Sequence, residues 1–299
     1  MKISGFTMVR NAEKYYFPIK ESIASILPIV DEFIVALGDC SDNTRAIIES
    51  LESPKIRIID RVWSEVAFVE GKIFADETTY ALQQCTGDWC FYLQADEVIH
   101  ENDLPIIQQA CKNYLLEKKV DGLLFNYYHF WGDYAHYLPF HGWYKNEIRI
   151  VRNGASIVSY KDAQSFRKVN GQKLNVKAIN AHIFHYGWVR PPEIMQSKKK
   201  EQDSMHHGTA EAALMHAQRN AHFNFGNMQS VPKFKGSHPQ VMKEFMQKIY
   251  WQKEINQHPL VLNRPKMKHE KLKYRLLSLI ENNLLNGNEI FGYSNWNKI

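Results

Sequence analysis

Short apolar runs alternate with amphipathic stretches through the first hundred residues. Ile3 to Val9 is almost continuously apolar, as expected for a strand buried on both faces. From Ala12 to Pro28, Phe17, Ile19, Ile23, Ile26 and Leu27 recur at roughly helical spacing. Phe33 to Leu37 predicts a second strand, and Gly38-Asp39-Cys40-Ser41-Asp42-Asn43-Thr44 is turn chemistry after it. Ser41 or Asp42 is placed to cap the helix that continues through Ile47, Ile48 and Leu51. Lys55 to Val62 predicts a third strand, Phe74 to Cys85 a helix closed by Gly87, and Trp89 to Leu93 a fourth strand. Strand and helix alternate four times, so the fold class is α/β, with a parallel sheet and crossover helices.

Past residue 120 or so the pattern changes. Asp121 to Tyr128 reads as a strand, and aromatic residues then crowd the chain from Tyr127 to Tyr144. Ile148 to Val151, Ile157 to Tyr160 and Ala181 to Phe184 read as further strands. From Pro191 the periodicity is helical, and the last third is basic and helical. These shifts divide the chain into segments 1–120, 121–205 and 206–299.

At 299 residues the chain is long enough for one large α/β domain with an appended piece, and the net charge of +5 suits a small anionic ligand better than nucleic acid. Cys40, Cys85, Cys90 and Cys111 form no CxxC and share no matching histidine spacing, which predicts reduced thiols. With no run long enough to cross a bilayer, and with Arg10 and Glu13 close behind Met1-Lys2, a cytoplasmic location is expected.

The chemistry concentrates in Gly87-Asp88-Trp89-Cys90-Phe91-Tyr92-Leu93-Gln94-Ala95-Asp96-Glu97. Strand alternation turns Gln94 and Asp96 to one side and Ala95 to the other. In an open α/β sheet, ligands bind beyond the carboxyl ends of the strands, where these side chains emerge. A carboxylate there can hold a hard divalent cation, which neutralises charge on a leaving diphosphate. Read by itself, an Asp-Glu pair after a strand is also an ordinary exposed turn.

Arg10-Asn11-Ala12-Glu13, Ser25, Asp31-Glu32-Phe33-Ile34-Val35, Ser41-Asp42-Asn43-Thr44, Gly87-Asp88 and Gln94-Ala95-Asp96-Glu97 resemble the family 2 glycosyltransferases, particularly the branch that glycosylates lipopolysaccharide cores. The resemblance covers the first hundred residues best. It implies the GT-A fold, a Rossmann-like mixed and mainly parallel sheet flanked by helices, here with a helical C-terminal extension. Segment 1–120 becomes the nucleotide-sugar half and 121–205 the acceptor half. It also implies a nucleotide-sugar donor (a UDP-sugar foremost), a divalent metal (Mn2+ or Mg2+) and inversion at the anomeric carbon. Asp96 matches the metal-binding aspartate of the family's Asp-x-Asp motif. Gln94 stands at the first aspartate, where an amide can bond a ribose hydroxyl but adds no charge. Leu37 occupies the place of the family's base-reading aspartate, and Asp39 is its nearest substitute. Thr7, Val9, Arg10, Lys72 and Ala95 complete the implied donor contacts.

An inverting transfer needs a base for the acceptor hydroxyl. Asp133, Glu147 and Asp162 are the candidates, and Asp162 is favoured because it follows a strand on the acceptor side; a surface salt bridge is the plain alternative. In Ala181-His182-Ile183-Phe184-His185-Tyr186-Gly187-Trp188, alternation sends the two histidines to opposite faces, so at most one is a ligand. The resemblance implies a histidine here as a further metal ligand, for which His185 fits best, and a packed histidine is the equal alternative. Lys198, Lys199 and Lys200 could meet a diphosphate or form a solvated helix face. Most aromatics of the 127–144 crowd are expected in the core, with His141, Trp143 and Tyr144 as acceptor contacts.

Arg264, Lys266, Lys268, Lys271, Lys273 and Arg275 lie beside Leu272, Leu276, Leu277, Leu279 and Ile280. Such a helix can lie on an anionic leaflet beneath a lipid-linked or other glycan acceptor, or join a homo-oligomer. Packing of its apolar stripe on the catalytic domain is the favoured expectation. Two competing functions are a sugar nucleotidyltransferase, disfavoured because Met8-Val9-Arg10-Asn11-Ala12 carries no glycine, and a non-catalytic nucleotide-sugar or glycan binder, which Gln94 and Leu37 would suit.

Overall fold

The structure is a computed structural model that describes residues 1–63, 72–217, 219–257, 264–285, 290, 292 and 294–299. Strands β1 (Ile3–Val9), β2 (Glu32–Leu37), β3 (Ile56–Asp60) and β4 (Trp89–Tyr92) pair in parallel in the order β3-β2-β1-β4. Helices α1 (Ile19–Ile26), α2 (Thr44–Glu49) and α3 (Lys72–Gln83) cross between them. The first helix starts at Ile19 and not at Ala12. Pro18 is the reason: its ring keeps the preceding residue out of the helical region, and residues 12–16 form turns, with Asn11 and Tyr16 at φ 54° and 55°. The N-cap of the second helix is Asn43, with no side-chain cap bond, and not Ser41 or Asp42; Asp42 Oδ1 instead accepts from the Thr44 N–H at 3.1 Å from one residue before the cap.

The second half completes the same sheet. After β5 (Glu97–Ile99) and α4 (Leu104–Asn113) come β6 (Gly122–Trp131) and β7 (Asn146–Arg152), the hairpin of β8 (Ile157–Tyr160) and β9 (Ser165–Lys168), and the long β10 (Leu174–Trp188). Strand β7 runs antiparallel between β4 and β6, so the sheet is mixed but mainly parallel. Strand β10 covers 15 residues, where the sequence showed only its apolar stretch from Ala181 to Phe184. Its first half alternates buried Leu174 and Val176 with the more exposed Asn175 and Lys177, a half-buried pattern that a search for continuous apolar runs misses.

The C-terminal part contains α5 (Pro192–His207), α6 (Thr209–His216), α7 (Lys243–Met246), α8 (Gln252–Gln257) and α9 (Leu272–Leu284). Helix α5 runs through the expected division at residue 205. The chain end then returns to the sheet as β11 (Trp296–Lys298), parallel to Leu174–Val176 of β10. The full order is β11-β10-β6-β7-β4-β1-β2-β3, with β5 off the edge against β10.

The segment from 223 to 255 closes one hydrophobic core with the strand ends. Phe130, Trp131 and Tyr186 pack with Phe225, Met228 and Trp251, all nearly inaccessible. The aromatic crowd is therefore mostly core, as its bulk requires. Helix α9 departs from expectation. It buries Ser278 and Glu281, half-buries Leu277 and leaves Leu272, Leu276, Leu279, Ile280 and Leu284 exposed, so most of the stripe is not packed on the catalytic domain. No helix among the described residues is long and apolar enough to cross a membrane.

Candidate active site

Strands β1, β4, β6 and β10 point the same way, and their carboxyl ends open on one cavity of about 390 Å³. Val9, Arg10 and Asn11 reach it from β1, and Gln94, Ala95 and Asp96 from the loop after β4. His129 comes from β6 and His185 and Gly187 from β10, while Met195, Lys198, Glu201, Gln202 and Met205 of α5 form a facing wall at helical spacing. The volume lies in the range of roughly 300–1,000 Å³ usual for small-ligand sites.

The turn after β4 is held from behind. Glu97 is fully buried and takes two bonds from Arg149, Nε to Oε2 and NH2 to Oε1, both at 2.8 Å, with a third from the Tyr127 hydroxyl. Its other role is local: the Gln94 N–H donates to Glu97 Oε2 while the Glu97 N–H donates to the Gln94 carbonyl. Asp96 is 6% exposed, so the ordinary reading of an exposed turn fails for both acids.

With the turn fixed, Asp96 faces a ring of cationic and imidazole groups. Its Oδ2 lies 3.3 Å from Lys198 Nζ and 3.6 Å from Arg190 NH2, and Oδ1 lies 3.8 Å from His185 Nε2. Burial alone would raise this carboxyl, but Lys198, His185 and Arg190 outweigh it and hold it down at about 2. Burial and the Arg190 charge push Lys198 down to about 7, against the pull of Asp96. Arg190 donates to the Tyr15 carbonyl at 2.7 Å, yet its Nε and NH2, although buried, have no hydrogen-bond partner among the described residues. Gly187 makes room here, since a Cβ at that position would run into His185 Nε2 and lie 3.0 Å from Asp96 Oδ2.

The tautomer of His185 follows from its neighbours. The Tyr144 carbonyl can only accept, so His129 Nε2, 2.7 Å away, carries the proton. Burial pushes His129 to about 3 and His185 to about 4, so both rings are neutral at neutral pH. His129 Nδ1 is then an acceptor, and His185 Nδ1, at 2.9 Å, is its donor. This leaves His185 Nε2 with a free lone pair directed towards a carboxylate oxygen, two acceptors facing each other at 3.8 Å. Two ligands of one ion at roughly 2.0–2.2 Å stand about 3.0–3.4 Å apart, so this donor pair would have to close by a few tenths of an ångström to share a divalent cation. Among the described residues, a second group of possible ligands, Glu193, His222 and Glu254, lies outside the cavity on the surface.

The base candidates separate cleanly. Asp162 lines the cavity, on the loop between β8 and β9, bracketed by Lys161 and Ala163 at φ 56° and 60°. Such strain in non-glycine residues is held by surrounding contacts, here a bond from Gln94 Nε2 to the Ala163 carbonyl at 3.3 Å. Asp133 is consumed elsewhere, its Oδ1 by two backbone N–H groups and the His136 ring and its Oδ2 by Gln252. Glu147 is buried off the cavity, and burial pushes its carboxyl up to about 8.

That raised value gives a pH test. The folded chain prefers the protonated acid, so this contribution to stability is complete below the unfolded value near 4.5 and is lost as pH rises through about 8. Glu147→Gln imitates the protonated form. Thermal melts are expected to coincide with those of the parent near about pH 5 and to shift upward by several degrees near about pH 9. Equal melting temperatures at both would contradict the assignment.

Several residues expected at the site stand away from the cavity. Thr7 is buried in the middle of β1, its hydroxyl on the Met8 carbonyl. Lys72 is exposed and pairs with Asp76 one helical turn on. Asp39 is bound to Arg10 and to the Trp63 N–H, so it reaches the cavity only through those two lining residues. His141 gives its ring to Glu281 and its N–H to Ser278, both on α9. Trp143 and Tyr144 do line the cavity, and the buried Trp143 Nε1 has no hydrogen-bond partner among the described residues. Of the three lysines, Lys198 turns inward, Lys199 pairs with Asp203 and Lys200 is exposed. His182 stacks on Tyr128 beside Asp103, away from the cavity that His185 lines.

Against this geometry, known proteins were compared. The pattern described as glycosyl transferase family 2 matches residues 9–170, more than half of the chain. The chain belongs to glycosyl transferase family 2. The match is to the family as a whole, and no curated protein matches the chain. Among solved structures, glucosyl-3-phosphoglycerate synthase from Mycobacterium tuberculosis, in complex with Mn2+, UDP and phosphoglyceric acid, is 21% identical with a TM-score of 0.30. The match covers 43% of each chain, so this chain spans less than half the length of that synthase. TarS of S. aureus, residues 1–349, is 13% identical over 73% of this chain and 74% of that one, with a TM-score of 0.39; its complex with UDP gives 14% and 0.40.

Sequence reasoning missed, among other lining residues, His129, Trp63 and Glu201, and it missed Arg190 behind Asp96. His129 was discoverable only by register, because it pairs with His185 across two parallel strands. Arg190 meets Asp96 from 94 positions along the chain, and no local signal announces such a contact.

Proposed function

We propose that the chain transfers a hexosyl group from a nucleotide diphospho-sugar, a UDP-sugar in the first instance, to a hydroxyl of a glycan or lipid-linked acceptor, with inversion. The observation that carries this reading is the convergence of Asp96, His185, Lys198 and Asp162 on one cavity at the carboxyl ends of the parallel strands. Asp96 Oδ1 and His185 Nε2 would hold a divalent cation, Mn2+ or Mg2+. When bound, it supplies Lewis-acid neutralisation of the leaving diphosphate. Lys198, and Arg190 behind it, add positive charge on the same side. Arg10 lies over the Trp63 ring at 5.7 Å, and this pair forms the donor side of the cavity with Val9 and Phe74.

Asp162 takes the proton of the acceptor hydroxyl as its oxygen bonds to the anomeric carbon. The bond from that carbon to the diphosphate oxygen breaks in the same displacement, which inverts the centre. Trp143 and Tyr144 offer ring faces to the acceptor sugar.

His129 positions rather than reacts. It holds the His185 proton on Nδ1 and so keeps Nε2 free. His129→Phe removes the acceptor and is expected to weaken Mn2+ binding in the presence of UDP by roughly 10–100-fold. Electron paramagnetic resonance of free manganese reads this without any turnover. Unchanged manganese affinity would remove His129 from the account. The proposal as a whole is tested by release of UDP from a panel of UDP-sugars with mono- and oligosaccharide acceptors, with and without Mn2+. No metal-stimulated release from any donor would count for a binding protein instead.

A further inference from the structure

Helix α9 is amphipathic in the reverse sense for a helix packed on a globular core. Leu272, Leu276, Leu279, Ile280 and Leu284 fall at i, i+4, i+7, i+8 and i+12, a single stripe, and are 72, 51, 58, 42 and 74% exposed. The face turned inward is polar. Glu281 Oε1 bonds His141 Nδ1 and Oε2 lies 3.2 Å from Lys145 Nζ, while Ser278 accepts the His141 N–H. Burying a carboxylate and exposing five aliphatic side chains runs against the hydrophobic effect unless something apolar covers the stripe.

The charges around the stripe say what covers it. From Arg264 to Leu285 the exposed charged residues are Lys266, Lys268, Lys271 and Lys273, all of one sign. The two acids of the segment are turned away: Glu281 is buried, and Glu270 is paired with Arg264 at 2.7 Å. An aliphatic stripe whose exposed charged neighbours, at and before its N-terminal end, are all lysines is complementary to an interface of acyl chains beneath anionic headgroups. A second copy of this chain fits less well, since a twofold contact would bring like-charged lysines together.

We propose that α9 seats the protein on an anionic lipid surface, with its leucine stripe in the headgroup–acyl boundary and its lysines on the headgroups. The inward face grips residues 141–145, the loop that carries Trp143 and Tyr144 into the cavity. The surface-bound helix thereby holds the acceptor wall. The proposal stands on this helix and not on the transfer reaction, so either can fail without the other.

The test is co-sedimentation of the full chain with phosphatidylcholine vesicles, with and without phosphatidylglycerol. Binding is expected only with the anionic lipid and is expected to fall as salt is raised. Lys271→Gln with Lys273→Gln lowers the partition coefficient about thirty-fold, and Leu276→Ser with Leu279→Ser lowers it at least about ten-fold. All four side chains are exposed, so melting temperatures that match the parent confirm that both double variants fold. Absence of binding to anionic vesicles overturns the proposal. So does lipid-free dimerisation, seen by sedimentation velocity, that the leucine variant abolishes, since the stripe would then belong to a second copy.

Discussion

Asp162→Asn is expected to lower kcat by about 10²–10⁴-fold, the range for loss of a positioned general base, while leaving the affinity for UDP and Mn2+ within about two-fold. The asparagine keeps the size and the loop contacts of the side chain and removes only its capacity to take a proton. Lys161 and Ala163 sit at positive φ on either side, and the Ala163 carbonyl is tied to Gln94, so the loop geometry does not depend on the carboxylate. A split between lost turnover and retained donor binding is what a merely structural residue would not produce. Steady-state kinetics with the acceptor, paired with calorimetric titration of UDP, reads both halves. A drop of less than about three-fold in kcat would mean that another group takes the proton.

Much of the sheet was legible because its central strands are buried on both faces and write themselves as unbroken apolar runs, as in Phe33 to Leu37 and Trp89 to Leu93. Legibility failed where burial is one-sided, as in the first half of β10. It failed also at the chain end, where Trp296 to Lys298 joins the sheet with only its first residue partly covered. The first helix was misplaced by a turn or two because apolar spacing from Phe17 onward resembles a helix, while Pro18 decides where a helix can begin.

The site divides along a similar line. Asp96 stood out because a strand delivers it to a place where ligands bind, and alternation alone separated His185 from His182. Asp162 was already favoured over Glu147 and Asp133 by its place after a strand, and the fold adds that Asp133 is held in a turn and Glu147 is buried off the cavity. Asp39, Lys72, Thr7 and His141 were placed by position in sequence, and each has a local partner or burial that takes it from the cavity. Lys198 and Arg190 complete the Asp96 environment from more than ninety residues away, which no motif encodes.

Everything returns to the carboxylate of Asp96. In the parent, Mn2+ is expected to tighten UDP binding by at least about a hundred-fold, and Asp96→Asn is expected to abolish that enhancement. Metal-free UDP affinity should be retained or rise, because Lys198 and Arg190 lose their counter-charge and turn to the diphosphate. Asparagine is preferred to alanine, since it fills the space beside two buried cations. Isothermal titration of UDP, with and without Mn2+, on the parent and on Asp96→Asn measures all four quantities. The account predicts a large manganese effect in the first protein and none in the second; equal enhancement in both would contradict it.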